Sequence, residues 1–305
     1  MKGLILVNAY TQSEHELNQP RRIQAELAAR GTQCDLVRND FVPAYLSGGV
    51  RSGAAWGFDF CGYLAKDRYS SHLLEFAGIR RFNRADAVEV CDNKMRTHIA
   101  LAGIVPMPTT VAAPLCYTPG APLSAQFLAR TEAILGYPVV IKECYGSLGK
   151  GVYLAHDRRE LEAIAEKLQR VPHLYQRFIA ESAGQDLRVI VIGGKAIAAM
   201  RRVSQDDFRS NAELGGRGER AVLDRAAADI AERAAQTLGL DYCGVDLLLS
   251  GDGPLVCEVN SNAFFGTFER VTGVNVAGLY ADHILRTLEQ TPPTEKNGKA
   301  EFSET

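Results

Sequence analysis

Gly244-Val245-Asp246 is followed, twelve residues after the aspartate, by Glu258-Val259-Asn260-Ser261-Asn262. Tyr242–Leu249 and Pro254–Val259 have the apolar content of strands, and Ser250-Gly251-Asp252-Gly253 between them has the composition of a turn. A hairpin folded about Asp252 sets Asp246 opposite Glu258. Strand side chains alternate between faces, so Glu258 and Asn260 point the same way. Two carboxylates opposed across an antiparallel pair repel. A divalent cation offsets that repulsion, and two carboxylates with an amide oxygen suit Mg²⁺ shared with phosphates. The competing reading is a solvated hairpin face. Val245, Leu247, Val256 and Val259 argue against it, because they place the pair inside a protein.

Other segments carry groups that bind anionic oxygens. Gly146-Ser147-Leu148-Gly149-Lys150-Gly151 lies between two apolar segments. Its glycines let backbone N–H groups approach phosphate closely, and Ser147 and Lys150 add donors; a plain turn is the alternative. The spacing is not that of a P-loop. Lys142, at the end of the Pro138–Ile141 segment, is placed to reach the same phosphates. Lys94 opens a helix beside Asp92 and Asn93, and nothing local separates a functional lysine from a surface one. The polar run from Arg201-Arg202 to Phe208-Arg209-Ser210-Asn211 follows a strand. Arginine forks bind phosphate or carboxylate bidentately, and Arg201, Arg209 and Asn211 beside a cation would stabilise charge on a transferred phosphoryl group. A solvated loop is the alternative. Gly215-Gly216 beyond it suggests a flexible cover. Asp186 either hydrogen-bonds a ribose hydroxyl or pairs with Arg188.

The elements that must hold these groups are readable in outline. Gly3–Asn8 is an apolar strand, Pro20–Arg30 a helix opened by Pro20 and stopped by Gly31, and Thr32–Val37 a second strand. Strand, helix, strand at this spacing predicts a parallel α/β unit, whose ligands gather at the carboxyl ends of its strands, near Asn8, Tyr10 and Thr11. Ser47-Gly48-Gly49 to Gly53 reads as a loop, and the unit closes near Arg81–Val90. Helices follow at Asn93–Ala102, Ser124–Leu135 and after a cap at Asp157, with strands at Tyr137–Glu143, Val152–Ala155 and Leu174–Phe178. Leu187–Ile192 and Ala196–Arg201 form a hairpin, Glu219–Leu238 a long alanine-rich helix, and Val276–Leu288 a last helix. The tail 291–305 is polar enough to be disordered.

The 305 residues are 46% hydrophobic and 23% charged, which is ordinary globular composition. A net charge of -2 provides no electrostatic footprint for nucleic acid or an acidic membrane. Arg80, Arg81 and Arg84 read as a solvated basic patch. No stretch approaches the about 20 apolar residues of a membrane span. Seven scattered cysteines without a Cys-x-x-Cys pair read as reduced core thiols of a cytoplasmic protein.

In their order along the chain, these segments resemble the ATP-grasp superfamily and, within it, the RimK-like α-L-glutamate ligases. The resemblance covers roughly Asp92 to Leu288. It rests on Lys94, Lys142 with the Gly-Ser-x-Gly-Lys-Gly loop, Gln176-Arg177-Phe178-Ile179 with Gly184-x-Asp186-x-Arg188, Phe208-Arg209-Ser210-Asn211, and Asp246 with Glu258-Val259-Asn260. It implies an N-terminal Rossmann-like, pre-ATP-grasp α/β domain (1–91) and an ATP-grasp fold of two subdomains (92–175 and 176–290). It also implies that ATP binds between the subdomains. Lys94 and Lys142 would contact the nucleotide, and Gly146, Ser147, Gly149, Lys150 and Gly151 would close over its phosphates. Gln176, Arg177 and Phe178 would form the adenine hinge, with Asp186 near the ribose. Asp246, Glu258 and Asn260 would hold two Mg²⁺, with Mn²⁺ able to substitute, and Arg209 and Asn211 would face the transferred group.

The reaction so implied joins a carboxylate to an amine: the carboxylate takes the γ-phosphoryl group of ATP, and an amino acid amine, such as glutamate's, then displaces phosphate. The alternatives are another ATP-grasp chemistry, such as dipeptide synthesis or peptide modification, and a regulatory ATP-binding protein without catalysis. Members of the family form dimers or tetramers, so a homo-oligomer is expected. The chain departs from the family at Glu143, where many members have proline, and at Arg177-Phe178, where glutamate ligases often have Glu-Tyr. Its first ninety residues match only as a generic α/β unit.

Overall fold

The computed structural model describes residues 1–41, 45–46, 50–51, 57–63, 66–210 and 216–290. The chain begins with β1 (Lys2–Val7), α1 (Glu14–Ala29), β2 (Gln33–Arg38), a short antiparallel pair β3 (Tyr45–Leu46) and β4 (Val50–Arg51), β5 (Phe60–Tyr63), α2 (Arg68–Phe76), β6 (Arg80–Phe82) and α3 (Ala85–Asp92). Strands β2-β1-β5-β6 form a parallel sheet. The central strand β1 is apolar and buried from Gly3 to Val7, as a strand covered on both faces must be.

A second sheet follows. It is built from α4 (Lys94–Leu101), β7 (Thr110–Ala112), α5 (Ala125–Leu135), β8 (Val139–Glu143), β9 (Val152–Ala155), α6 (Arg158–Leu168) and β10 (His173–Arg177), with strand order β7-β10-β8-β9, all antiparallel. Three of these helices start where a side chain takes an orphan N–H: Asn93 accepts from Arg96, Ser124 from Phe127 and Asp157 from Glu160. Leu128, Leu135, Leu161 and Leu168 pack α5 and α6 onto Val139, Ile141 and Tyr175.

The third sheet comprises β11 (Gln185–Ile192), β12 (Lys195–Val203), β13 (Arg217–Ala221), β14 (Tyr242–Ser250) and β15 (Gly253–Asn260) in the order β13-β12-β11-β14-β15, antiparallel throughout. Helix α7 (Arg225–Leu238) covers one face. Ala227, Ala231, Ala234 and Ala235 bring it close over Leu187, Val189, Val191, Val245 and Leu247. Helices α8 (Gly266–Thr272) and α9 (Val276–Gln290) are the last elements among the described residues. A further core joins Ile5, Ile23 and Phe60 of the first unit to Ile190, Tyr242, Phe268 and Tyr280, so the parallel sheet and the five-stranded sheet share buried surface. No helix among the described residues is long and apolar enough to cross a membrane.

Four expectations need correction. Helix α1 starts at Glu14, not at Pro20, which lies inside it. Proline marks a first turn only as a tendency, and here a missing N–H is accepted within the helix. The span expected as one helix from Glu219 is divided: Arg217–Ala221 is an edge strand, and Asp224 caps α7 through Ala227 N–H at 2.7 Å. Helix α8 was unforeseen. Arg81 is wholly buried, 3.9 Å from Glu75, rather than part of a solvated patch. The Ser47–Gly49 and Gly53 loop, Asn211, Gly215 and the tail 291–305 lie outside the described residues.

Candidate active site

The register of the five-stranded sheet assembles a polar row on the face away from α7. Met200 pairs with Arg188, Arg188 with Asp246, and Asp246 with Glu258. A neighbouring row sets Gly218 opposite Arg202 and Arg202 opposite Asp186; on the other side Gly244 faces Asn260. Because strand side chains alternate, the apolar residues between these polar ones go to α7. The same sequence therefore builds a core on one face and a charged floor on the other. Gly244 is required here: a Cβ would lie 2.6 Å from Ala263 Cβ and 3.6 Å from Arg188 Nε.

One irregularity adds a residue to that floor. The register slips between Asp246 and Leu247, so Cys257 is an extra residue between Val256 and Glu258. Val256 and Val259, three apart, both enter the α7 core. Strict alternation forbids this, and a bulge permits it while turning both Cys257 and Glu258 to the other side. Cys257 Sγ there receives a hydrogen bond from Lys142 Nζ at 3.2 Å. Burial pushes the Cys257 thiol up, beyond what the nearby Lys142 offsets.

The floor is a buried network of opposite charges. Arg188 donates from Nε and Nη2 to the two oxygens of Asp246, each at 2.8 Å. Arg202 Nη2 lies 2.9 Å from Asp246 Oδ2, and Arg202 also holds Asp186, with Nε to Oδ1 at 2.7 Å. Asn260 Nδ2 donates to Asp246 at 3.2 Å. Burial alone would raise the Asp246 carboxyl, but the two guanidiniums outweigh it and hold the pKa below its ordinary value. Lys94 Nζ lies 3.5 Å from Glu258 Oε1 and donates to the Gly146 carbonyl at 2.9 Å. Both carboxylates thus already carry cationic side chains of the protein. Among the described residues no group of three His, Cys, Asp or Glu could hold a metal by itself. An oxygen set of two carboxylates and one amide suits a hard cation that completes its shell with phosphate.

This floor lines a cavity of about 480 Å³. The opposite wall comes from the small sheet. Lys142 lies one residue before the end of β8, and Gly146, Ser147, Leu148, Gly149 and Lys150 form a lip. Gly151 has φ +70° and would set a Cβ 2.8 Å from Glu143, so only glycine fits. Arg209 lines the cavity too. It pairs with Asp207 and donates to the Gly149 carbonyl at 2.7 Å, tying its loop to the lip. At the far end, Gln176 is buried and bonded to Thr110 Oγ1 at 2.9 Å, and the Phe178 ring meets Phe208 edge-on. Arg177 Nη2 donates to the Ile134 carbonyl, leaving chiefly backbone and stem to the cavity. Behind this wall His98 is buried; desolvation, aided by Lys142, pushes its pKa down to about 4.

Most of the residues named from sequence are therefore brought together. Arg201 is not: alternation turns it to solvent on β12, and Arg202 takes the inward position. Asp186 pairs with Arg202 and not with Arg188, which belongs to Asp246. Cys257 was missed, although the three-residue spacing of Val256 and Val259 signals the bulge. The share of α1 was also missed. His15, Glu16 and Gln19 line the cavity with Asn8 and Thr11, and Gln19 bonds Asn262 at 3.1 Å, 243 residues away in sequence.

Comparisons with known proteins identify the family and the fold. The RimK-like ATP-grasp domain family matches residues 93–284. N-acetylaspartylglutamate synthase A of Homo sapiens is 37% identical over 230 residues, covering 74% of this chain and 56% of that protein. A probable alpha-L-glutamate ligase of Rhodopirellula baltica is 44% identical over 165 residues, covering 53% of this chain and 41% of that one. The chain thus spans about half the length of the curated relatives it matches. Among solved structures, a RimK domain ATP-grasp protein from Sphaerobacter thermophilus superposes with TM-score 0.70 at 25% identity, covering 93% of this chain and 99% of the other. D-alanine–D-alanine ligase from Bacillus anthracis, complexed with ATP, has the same fold, with TM-score 0.73 at 16% identity, covering 95% and 98%. The chain belongs to the RimK-like ATP-grasp domain family.

Proposed function

We propose that this chain is an ATP-dependent ligase that joins a carboxylate to the amine of an amino acid, with glutamate the first candidate. The observation that carries the reading is the convergence of Lys94, Lys142, the glycine lip and Arg209 on the same cavity as Asp246, Glu258 and Asn260. The names of its relatives, N-acetylaspartylglutamate synthase and alpha-L-glutamate ligase, support glutamate as the amine. We further propose division at 1–91, 92–175 and 176–290, with the nucleotide between the latter two.

The chemistry needs no protein nucleophile. A carboxylate oxygen of the acceptor forms a bond to the γ-phosphorus as the β–γ P–O bond breaks and ADP leaves; the amine nitrogen then attacks the acyl carbon, releasing phosphate and losing its proton. The protein's task is to position the partners and neutralise anionic oxygens. Divalent Mg²⁺ or Mn²⁺, held by Asp246, Glu258 and Asn260, would supply charge neutralisation and polarise phosphate oxygens. Lys94 and Lys142 bind phosphate oxygens, Ser147, Lys150 and the lip amides cover them, and Arg209 faces the transferred group. Gln176, the Arg177 backbone and Phe178 receive adenine, with Asp186 on the ribose side. Asn8, Thr11, His15, Glu16 and Gln19 border the acceptor.

The test is ADP release from MgATP with purified protein, screened across N-acetylaspartate, citrate and glutamate-ending peptides as acceptors and amino acids as amines, with product mass measured. One pair should stimulate release and yield a product lighter than the summed substrates by one water. If MgATP binds and no pair stimulates release, the ligase reading fails.

A further inference from the structure

Asp246 is crowded by protein donors, three of its four on one oxygen. Its Oδ1 accepts from Arg188 Nε, and its Oδ2 lies within hydrogen-bonding distance of Arg188 Nη2, Arg202 Nη2 and Asn260 Nδ2. A carboxylate offers about four lone-pair sites in all. Oδ2 has no site to spare and the open site on Oδ1 lies beside Arg188 Nε, so a doubly charged ion at Asp246 either displaces a donor or sits against the Arg188 guanidinium and repels it.

The two arginines are not equally held. Arg202 is clamped from two sides, by Asp186 through both oxygens as well as by Asp246, and its side chain is 7% exposed. Arg188 has no hydrogen-bond partner but Asp246 among the described residues, is 14% exposed and lines the cavity. It lies over Gly244, where no side chain obstructs its stem. The other guanidinium facing the floor from the lip side, Arg209, is committed to Asp207 and the Gly149 carbonyl.

We propose that Arg188 is an anion receptor held in reserve. A divalent cation at Asp246 displaces its guanidinium, which then turns into the cavity and takes a carboxylate of the acceptor substrate. Arg202 stays with Asp186. Cation binding thereby creates the acceptor's binding group, and the coupling is reciprocal: a bound carboxylate draws Arg188 away from Asp246 and tightens the cation. This rests on the ligase reading above and adds to it an order, cation before carboxylate.

The experiment measures Mn²⁺ affinity of the full chain by the electron paramagnetic resonance signal of free Mn²⁺, without nucleotide or substrates, for the wild type, Arg188→Gln and Arg188→Lys. Asp246 keeps Arg202 in both variants, so no buried charge is orphaned. Arg188→Gln removes the competitor and should bind Mn²⁺ about tenfold more tightly, the scale of one charge-assisted hydrogen bond. Its KM for the acceptor found by ADP release should rise about tenfold or more, with KM for MgATP within about twofold. Arg188→Lys, a cation without the planar fork, should fall between in both measures, and it carries the test if Arg188→Gln does not fold. Unchanged or weaker Mn²⁺ binding in the variants overturns the proposal while leaving the ligase reading intact. A wild type that neither binds Mn²⁺ nor releases ADP with any pair overturns both.

Discussion

Replacing Cys257 tests whether the bulge in β15 serves the nucleotide site. The thiol accepts a hydrogen bond from Lys142 Nζ at 3.2 Å, and because burial raises its pKa it stays neutral at neutral pH. It therefore orients the ammonium without cancelling its charge. A hydrogen bond to a charged group contributes about 1.5–3 kcal/mol, and sulfur is a weak acceptor, so about 1 kcal/mol is expected from this one. That corresponds to about fivefold in affinity. Cys257→Ala should weaken ATP binding by about that factor, and Cys257→Ser, which keeps an acceptor, should restore most of it. Cys257→Asp should weaken binding further than alanine, since a carboxylate would pair with Lys142 and repel the phosphates. The assay is displacement of a fluorescent ATP analogue without carboxylate or amine, beside a thermal melt. A purely structural cysteine would lower the melting temperature in alanine and leave affinity unchanged. Equal affinity in wild type and alanine, or equal loss in serine and alanine, refutes the argument.

Glu258→Gln should lower turnover about 100-fold or more, as removal of a preorganised electrostatic group does, while leaving the melting temperature nearly unchanged because its ion pair with Lys94 is loose at 3.5 Å; turnover within a few-fold of wild type would take Glu258 out of the site. Gly151→Ala should destabilise the fold by about 1–2 kcal/mol from positive φ alone, with Glu143 displaced and KM for ATP raised, which melts and kinetics would show. His98 has a folded pKa of about 4 against an ordinary 6.5, so the unfolded chain binds its proton first; the stability from keeping it neutral is complete above about pH 6.5 and is lost as pH falls toward 4, about 3 kcal/mol in total. Urea melts at pH 7.5 and pH 5 should show that loss shrinking in His98→Gln, and an unchanged difference would rule His98 out as its source.

Much of the fold was legible locally. The cap at Asp157, the helix starts at Asn93 and Ser124 and the glycines after α5 and α7 stand next to the helices they bound, so reading them required no knowledge of distant residues. The errors fell where a local signal had two meanings. Pro20 marks a helix start in isolation and is tolerated inside α1. The run from Glu219 is compatible with a helix until Met200 and β12 recruit Arg217–Ala221 as an edge strand.

By itself the sequence determined the hairpin of β14 and β15 from its alternation and turn composition, whereas Asp246 meets Glu258 only because the bulge at Cys257 shifts the register set by the turn. It also determined which residue types could meet phosphate. Only the tertiary structure decided which arginine faces inward, which partner each aspartate takes, that Cys257 joins the floor, and that α1 lines the cavity. Those outcomes depend on pairing between β11, β12 and β14 and on contacts as remote as Gln19 with Asn262, where the partner is chosen by packing rather than by any spacing along the chain.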